Sequence, residues 1–136
     1  MQPLKDIAFQ WLRQVENDWL FAKSGLREGF YSHVCVLSQQ AAEKSLKAIL
    51  RHRKKELVRT HSLFELCRAL RINGLLLQAS SRLDLYYVSG RYPEAMAGTS
   101  APYLIINKKQ AEVALRDASL FIRKARGLLR VKRPRR

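Results

Sequence analysis

SQQAAEKSLKAIL, residues Ser38–Leu50, is the stretch that decides how the rest of the chain must fold. With successive residues roughly 100° apart, as in an α-helix, Val34, Leu37, Ala41, Ala42, Leu46, Ala48, Ile49 and Leu50 cover most of its circumference. Such a helix, read here over Phe30–Arg53, needs neighbours on several sides and belongs at the centre of a bundle. One polar strip remains, made of His33, Gln40, Glu43, Lys44, Lys47 and Arg51. Its cations either stay solvated, with Glu43–Lys47 as an ordinary i,i+4 pair, or hold phosphate through charge-assisted hydrogen bonds.

On the N-terminal side, Ala8, Trp11, Leu12, Val15, Trp19, Ala22 and Leu26 recur at helical spacing. They predict a helix from near Pro3 to Glu28 whose two tryptophans face the core. Gly29 ends it, and so short a connection makes the two helices an antiparallel hairpin. On the other side, residues 54–60 are charged and aperiodic and read as a loop. Ser62 with Glu65 three residues on is a capping-box pattern. It opens a third helix carrying Leu63, Leu66, Cys67 and Leu70, expected to stop at Asn73-Gly74. A fourth spans Leu76–Val88, with Leu76, Ala79, Leu83 and Tyr87 inward.

Residues 91–106 have neither a helical nor an alternating period. So long an irregular stretch either folds onto a ligand or partner, or crosses the bundle end with Tyr92, Pro93, Tyr103 and Leu104 against the core. Asn107 and Gln110 suit a second capping pair, and the helix that follows has the cleanest apolar stripe of the chain: Ala111, Ala114, Leu115, Ala118, Phe121, Ile122, Ala125 and Leu128. The expectation is an all-α, up-and-down antiparallel bundle of four to five helices. One domain covers residues 1–130, and 131–136 form a basic disordered tail.

A chain of 136 residues, 47% hydrophobic, is long enough to bury a core without disulfides or a structural metal. Cys35 and Cys67 lack zinc-site spacing and read as reduced structural thiols. There is no run apolar enough to cross a bilayer and no apolar signal-peptide core, so a cytoplasmic location without membrane partners is expected. The net charge is +15, and from Arg123 onward there are eight cations and no acid. That field attracts nucleic acid, nucleotides or an acidic protein. The C-terminal cluster itself lacks interleaved aromatics for stacking bases.

No phosphate-binding glycine loop, zinc-protease motif, nucleophile elbow or paired-carboxylate motif is present. Eleven acids spread over the predicted helices argue against a carboxylate metal site, and no cofactor or metal is expected. His61, between Thr60 and Ser62 at a helix start, either faces an anion beside free backbone N–H groups or bonds across the loop as a structural residue.

Gly29-Phe30-Tyr31, then AAEKSLKAIL (Ala41–Leu50), Thr60-His61-Ser62-Leu63 and Arg91-Tyr92-Pro93 before a last amphipathic helix, taken in that order, resemble the HEPN domain from Trp11 to Leu129. The resemblance implies a small helical bundle, usually dimeric. It implies nucleotide binding in some members and, in many prokaryotic ones, a minimal nucleotidyltransferase encoded alongside. Another branch consists of metal-independent ribonucleases, toxins among them, that use an Arg, roughly four to six further residues and a His for 2′-hydroxyl attack and phosphate stabilisation. Arg27 and His33 have five residues between them but straddle the turn between the first two helices. Arg59 is too close to His61, Arg53 too far, and Arg91 has no histidine downstream. The resemblance therefore implies the non-nuclease type, with no catalytic residue. It would be a homodimeric nucleotide- or phosphate-binding accessory module of a nucleotidyltransferase, with Lys44, Lys47, His61 and Arg91 as phosphate contacts and Tyr92 beside the base. The alternatives are an RNA-cleaving toxin, and a non-catalytic bundle that binds an acidic protein or RNA.

Overall fold

The computed structural model describes residues 4–53, 58–88 and 105–130. Over these the chain forms helices α1 (Leu4–Glu28), α2 (Tyr31–His52), α3 (Leu63–Ala69), α4 (Leu75–Val88) and α5 (Lys108–Leu129). No strand occurs among the described residues. α2 packs against all four other helices, as its broad apolar surface requires. The seven apolar positions Val34, Ala41, Ala42, Leu46, Ala48, Ile49 and Leu50 are buried, whereas Leu37 is half-buried.

The α1–α2 hairpin is set by local chemistry. Gly29 takes φ +87°, Phe30 N–H donates to the Gly25 carbonyl (2.9 Å) and Gly29 N–H to that of Leu26 (3.3 Å). This is the Schellman ending, in which a residue without Cβ turns the chain at no steric cost. Gly25 has a second reason to be small: a Cβ there would lie 3.2 Å from Val34 Cγ2, so the two helices approach closely just after the turn.

Contacts along the helices fix their directions. Asp18 meets Lys44 and Trp11 meets Arg51, so α1 and α2 are antiparallel. Trp19 Nε1 donates to the Leu115 carbonyl (3.1 Å) and Arg126 to Glu16 (3.1 Å), so α5 also opposes α1. Arg82 grips Asp117 while Tyr86 lies by Lys109 and Gln110, so α4 opposes α5. The result is the up-and-down bundle that the periodicity predicts, closed around Leu12, Leu46, Ile49, Leu63 and Phe121. Both tryptophans are half-buried against this core.

α3 departs from expectation. It stops at Ala69 rather than at Asn73-Gly74, because Arg71 takes the left-handed conformation (φ 58°). Ile72 N–H then donates to the Cys67 carbonyl (2.8 Å), and both residues are buried. The apolar contact across this ending stabilises it although the turning residue is an arginine. Gly74 (φ 72°) instead introduces α4. At the other end of the chain, Asn107 and Gln110 form the complete reciprocal capping box, each side chain accepting from the other's backbone N–H at 2.8 Å. The irregular stretch assigned to residues 91–106 lies outside the described residues up to Leu104, as does the tail 131–136. No described helix is long and apolar enough to cross a membrane.

Candidate functional site

A helix of seven residues cannot stabilise itself. α3 is held at its start by Asp84 of α4, which accepts from the backbone N–H of Leu63 (2.6 Å) and Phe64 (3.1 Å) and from the Ser62 hydroxyl (3.0 Å). The same hydroxyl accepts from Glu65 N–H (3.2 Å), as the capping pattern predicts. Ser62 N–H donates to Thr60 Oγ1 (3.0 Å), and the His61 carbonyl accepts from Gln39 Nε2 (3.3 Å). The backbone around His61 is thus tied to α2 and α4, which places its ring over the middle of α2.

There Glu43 organises a cluster. Its Oε2 accepts from Lys47 Nζ (2.7 Å) and pairs with His61 Nδ1 (3.0 Å), and its Oε1 accepts from Gln39 Nε2 (3.1 Å). A carboxylate is acceptor-only, so Nδ1 carries the proton in this contact and Nε2 is the acceptor of a neutral ring. The ring stacks on Tyr87, with centroids 4.7 Å apart and planes 14° from parallel. The His61 side chain is 57% exposed, against 12% for Glu43, so a mostly covered anchor carries an accessible imidazole. Burial alone would raise the Glu43 pKa, but hydrogen bonds from Lys47, His61 and Gln39 outweigh it and hold the carboxyl below its ordinary 4.5.

Lys47 and His61, both expected as phosphate contacts, therefore meet on one oxygen. Lys44 does not join them; it pairs with Asp18 of α1 at 2.9 Å. Arg51 lies over the Trp11 ring (5.6 Å) and His33 sits edge-on to Phe30 (6.0 Å). The polar strip of α2 is thus divided between two neighbours, α1 on one flank and the His61 loop on the other. Arg91 and Tyr92 lie outside the described residues.

Three participants escape the sequence reading. Gln39 is fully buried and falls inside the apolar arc of α2, four residues from Cys35 and three from Ala42. A long amide within such an arc is a signal that it has a partner. The helical pattern turns Tyr87 inward to the core, whereas it is half-buried and carries the imidazole on its face. Asp84 has no local signal, because its partners lie about twenty residues away.

Among the described residues no group of three or more His, Cys, Asp or Glu is arranged to hold a metal ion. Both cysteines are free and buried. Burial pushes the Cys35 thiol up to about 12 and the Cys67 thiol to about 11, so neither forms a thiolate near neutral pH.

Fold and site together define an antiparallel helical module with a charged surface cluster. The HEPN domain profile matches residues 8–128, most of the 136-residue chain, and the chain belongs to the HEPN domain family. Solved structures agree. TT1696 from Thermus thermophilus is 28% identical with a TM-score of 0.79, covering 89% of this chain and 97% of that one. ST0689, described as an archaeal HEPN homologue, is 28% identical with a TM-score of 0.74, covering 95% and 99% respectively. The HEPN domain protein TM0613 from Thermotoga maritima, 24% identical with a TM-score of 0.68, shares the fold over 90% of this chain and 99% of its own. No curated protein matches the sequence.

Proposed function

We propose that the chain is a homodimeric, non-catalytic HEPN module that binds a nucleotide through its phosphates and works beside a minimal nucleotidyltransferase. The observation that carries this reading is the sharing of Glu43 Oε2 by Lys47 and His61. The shared anchor holds an ammonium and an imidazole from separate elements side by side, so less freedom is lost when an anion arrives. Lys47 keeps further N–H donors, and the Tyr87-backed ring offers a flat surface to a base. Arg91 as a further phosphate contact and Tyr92 as the base neighbour extend the proposed site, and Lys44 reaches it only by leaving Asp18, with which it pairs at 2.9 Å. Glu43 opposes an anion, so affinity rests on several donors acting together with the +15 field of the chain.

Titration with nucleoside triphosphates followed by thermal unfolding tests this directly. A ligand that binds only the folded state raises Tm with concentration. The rise is expected for the native chain and is abolished by Lys47→Ala or His61→Ala. A Tm unmoved by every nucleotide overturns the reading. Size-exclusion chromatography with light scattering checks the dimer, and co-purification with a minimal nucleotidyltransferase checks the partner.

The Glu43–His61 hydrogen bond also favours a second reading, an RNA-cleaving HEPN protein, because a carboxylate behind Nδ1 prepares Nε2 to take a proton from a 2′-hydroxyl. RNA incubated with the protein is then cut, and His61→Ala stops the cutting. RNA left intact by the native chain removes this alternative.

A further inference from the structure

The α4–α5 side of the bundle carries a groove that the proposed function leaves unused, since none of Glu43, Lys47 and His61 lines it. Between these antiparallel helices lies a cavity of about 290 Å³, with Leu83, Tyr86 and Ala114 as its floor and Leu85 and Val113 at its edges. It falls just below the ~300–1,000 Å³ typical of small-ligand sites, so it suits a few side chains of a partner better than a whole small molecule. Leu85 is 66% exposed. A single exposed leucine is ordinary, but one that borders a concave apolar floor is part of a shaped surface.

The groove is fixed before anything enters it. The Tyr86 hydroxyl is hydrogen-bonded to the Cys35 thiol of α2, and burial pushes this phenol up to about 12, so the ring is a rigid and neutral wall. Arg82 is held by two bonds to Asp117, at 2.9 and 3.0 Å, which lay its half-exposed guanidinium along one rim. On the other rim α5 presents Lys109, Val113, Arg116 and Leu120 at helical spacing, the cations exposed and the apolar residues half-buried. The carboxylates nearby are spoken for: Asp84 caps α3, and Asp117 is buried beneath Arg82. Glu112 is the one exposed acid among the described residues of the two helices.

An apolar floor between cationic rims selects its occupant. Nucleic acid would meet the cations but set Leu85 and Val113 against a charged backbone. A second copy of this chain would bring basic rims together, and like charges across an interface are costly. An amphipathic helix fits both features: its apolar face enters the groove, and carboxylates on its flanks reach Lys109 and Arg116. Walls that are already in place reduce the ordering that docking must impose. We propose that the α4–α5 groove docks an amphipathic helix with acidic flanks from a protein partner, its apolar side chains seated between Leu85 and Val113.

Fluorescence anisotropy of the full chain with a labelled peptide of about eighteen residues, long enough to run along α4, tests this. The peptide carries leucine at i, i+3, i+4 and i+7 and glutamate on both flanks. One control has the same composition in scrambled order, and another has lysine in place of glutamate. Circular dichroism melting confirms that each protein variant keeps the fold. The acidic amphipathic peptide is expected to bind at least about tenfold tighter than either control. Leu85→Ser weakens it roughly tenfold, because the burial of a leucine is lost. Lys109→Glu weakens it about threefold or more, and less so at high salt. Phe21→Ser removes a similarly exposed apolar side chain from α1, and Arg13→Glu reverses a charge there; both leave binding within about twofold. No binding overturns the proposal, as does equal binding of the scrambled peptide, which marks a diffuse field. Equal binding of the lysine peptide overturns it too, since the rims would then select nothing. A molecular mass by light scattering that falls in Leu85→Ser assigns the face to a second copy and ends the proposal, whereas an unchanged mass supports a separate partner. The nucleotide titration depends on other side chains, so its failure leaves this test untouched.

Discussion

The side of the bundle built from α1, α2 and α5 and the side built from α3 and α4 are held by different interactions. α1, α2 and α5 are 25, 22 and 22 residues long and meet through apolar stripes, with Phe121, Leu12, Leu46 and Ile49 fully buried between them. α3 has seven residues, and alongside the buried Leu63, Leu66 and Leu83 carboxylates fix this side: Asp84 of α4 caps α3, while Asp117 of α5 grips Arg82 of α4 and Glu43 of α2 grips His61. Long amphipathic helices bury enough surface to choose their own neighbours. Short ones need directional bonds, and those bonds bring polar groups to the surface where a ligand can meet them. That is why the candidate site lies where α2 meets α3 and α4.

The sharpest break of this contrast comes from the core. Phe121→Ala should cost about 3–5 kcal/mol in urea unfolding, the usual range for a buried aromatic, and should weaken both sides together. Asp84→Ala strands two backbone N–H groups and a hydroxyl, for about 2–3 kcal/mol. Its signature is local: hydrogen exchange at the Leu63 and Phe64 amides should speed up far more than at the α5 amides. Unchanged exchange there would show that apolar contacts, not the carboxylate, hold α3.

Arg82→Ala leaves Asp117, 2% exposed, without its bidentate partner. A loss of about 1 kcal/mol is expected, discounted because the arginine is half exposed, and Asp117→Ala in the same chain should recover part of it. Glu43 gives a pH signature. Its folded pKa lies below the ordinary 4.5, so its stabilising contribution is complete above that value and fades as pH falls through the folded one. Glu43→Gln should therefore flatten the acid side of the stability curve and leave its slope near neutral pH unchanged. Lys44→Ala should be the mildest, under about 0.5 kcal/mol, since the lysine end of its pair with Asp18 is 40% exposed.

Legibility in the sequence follows the same division. The helical periods of the described helices, the Gly29 hairpin, the Ser62 and Asn107 caps and the stripe of α5 all rest on patterns a few residues long, and each is found in the structure. In the last stripe Leu129 is buried and Leu128 half-buried, a shift of one position near the helix end. Asp117 is legible in principle, because it stands three residues after Ala114 and four before Phe121, inside the apolar stripe. Its neutralisation by Arg82, at a separation of 35 residues, is not. The strip on α2 reads in sequence as a single face, yet Asp18 and Trp11 claim one flank and His61 the other, which a helical wheel of α2 alone cannot reveal.

The sequence by itself determined the bundle, because helical periodicity, capping pairs and a turn glycine act within one or two turns of chain and leave few ways to bury the stripes. Only the tertiary structure decided which charges meet. Glu43 with His61, Asp84 with α3 and Asp117 with Arg82 are pairings between elements distant in sequence, and their strength depends on geometry that appears once the helices have packed. The apolar pattern therefore specifies the scaffold, while the charged surface on which function must rest is a property of the folded chain.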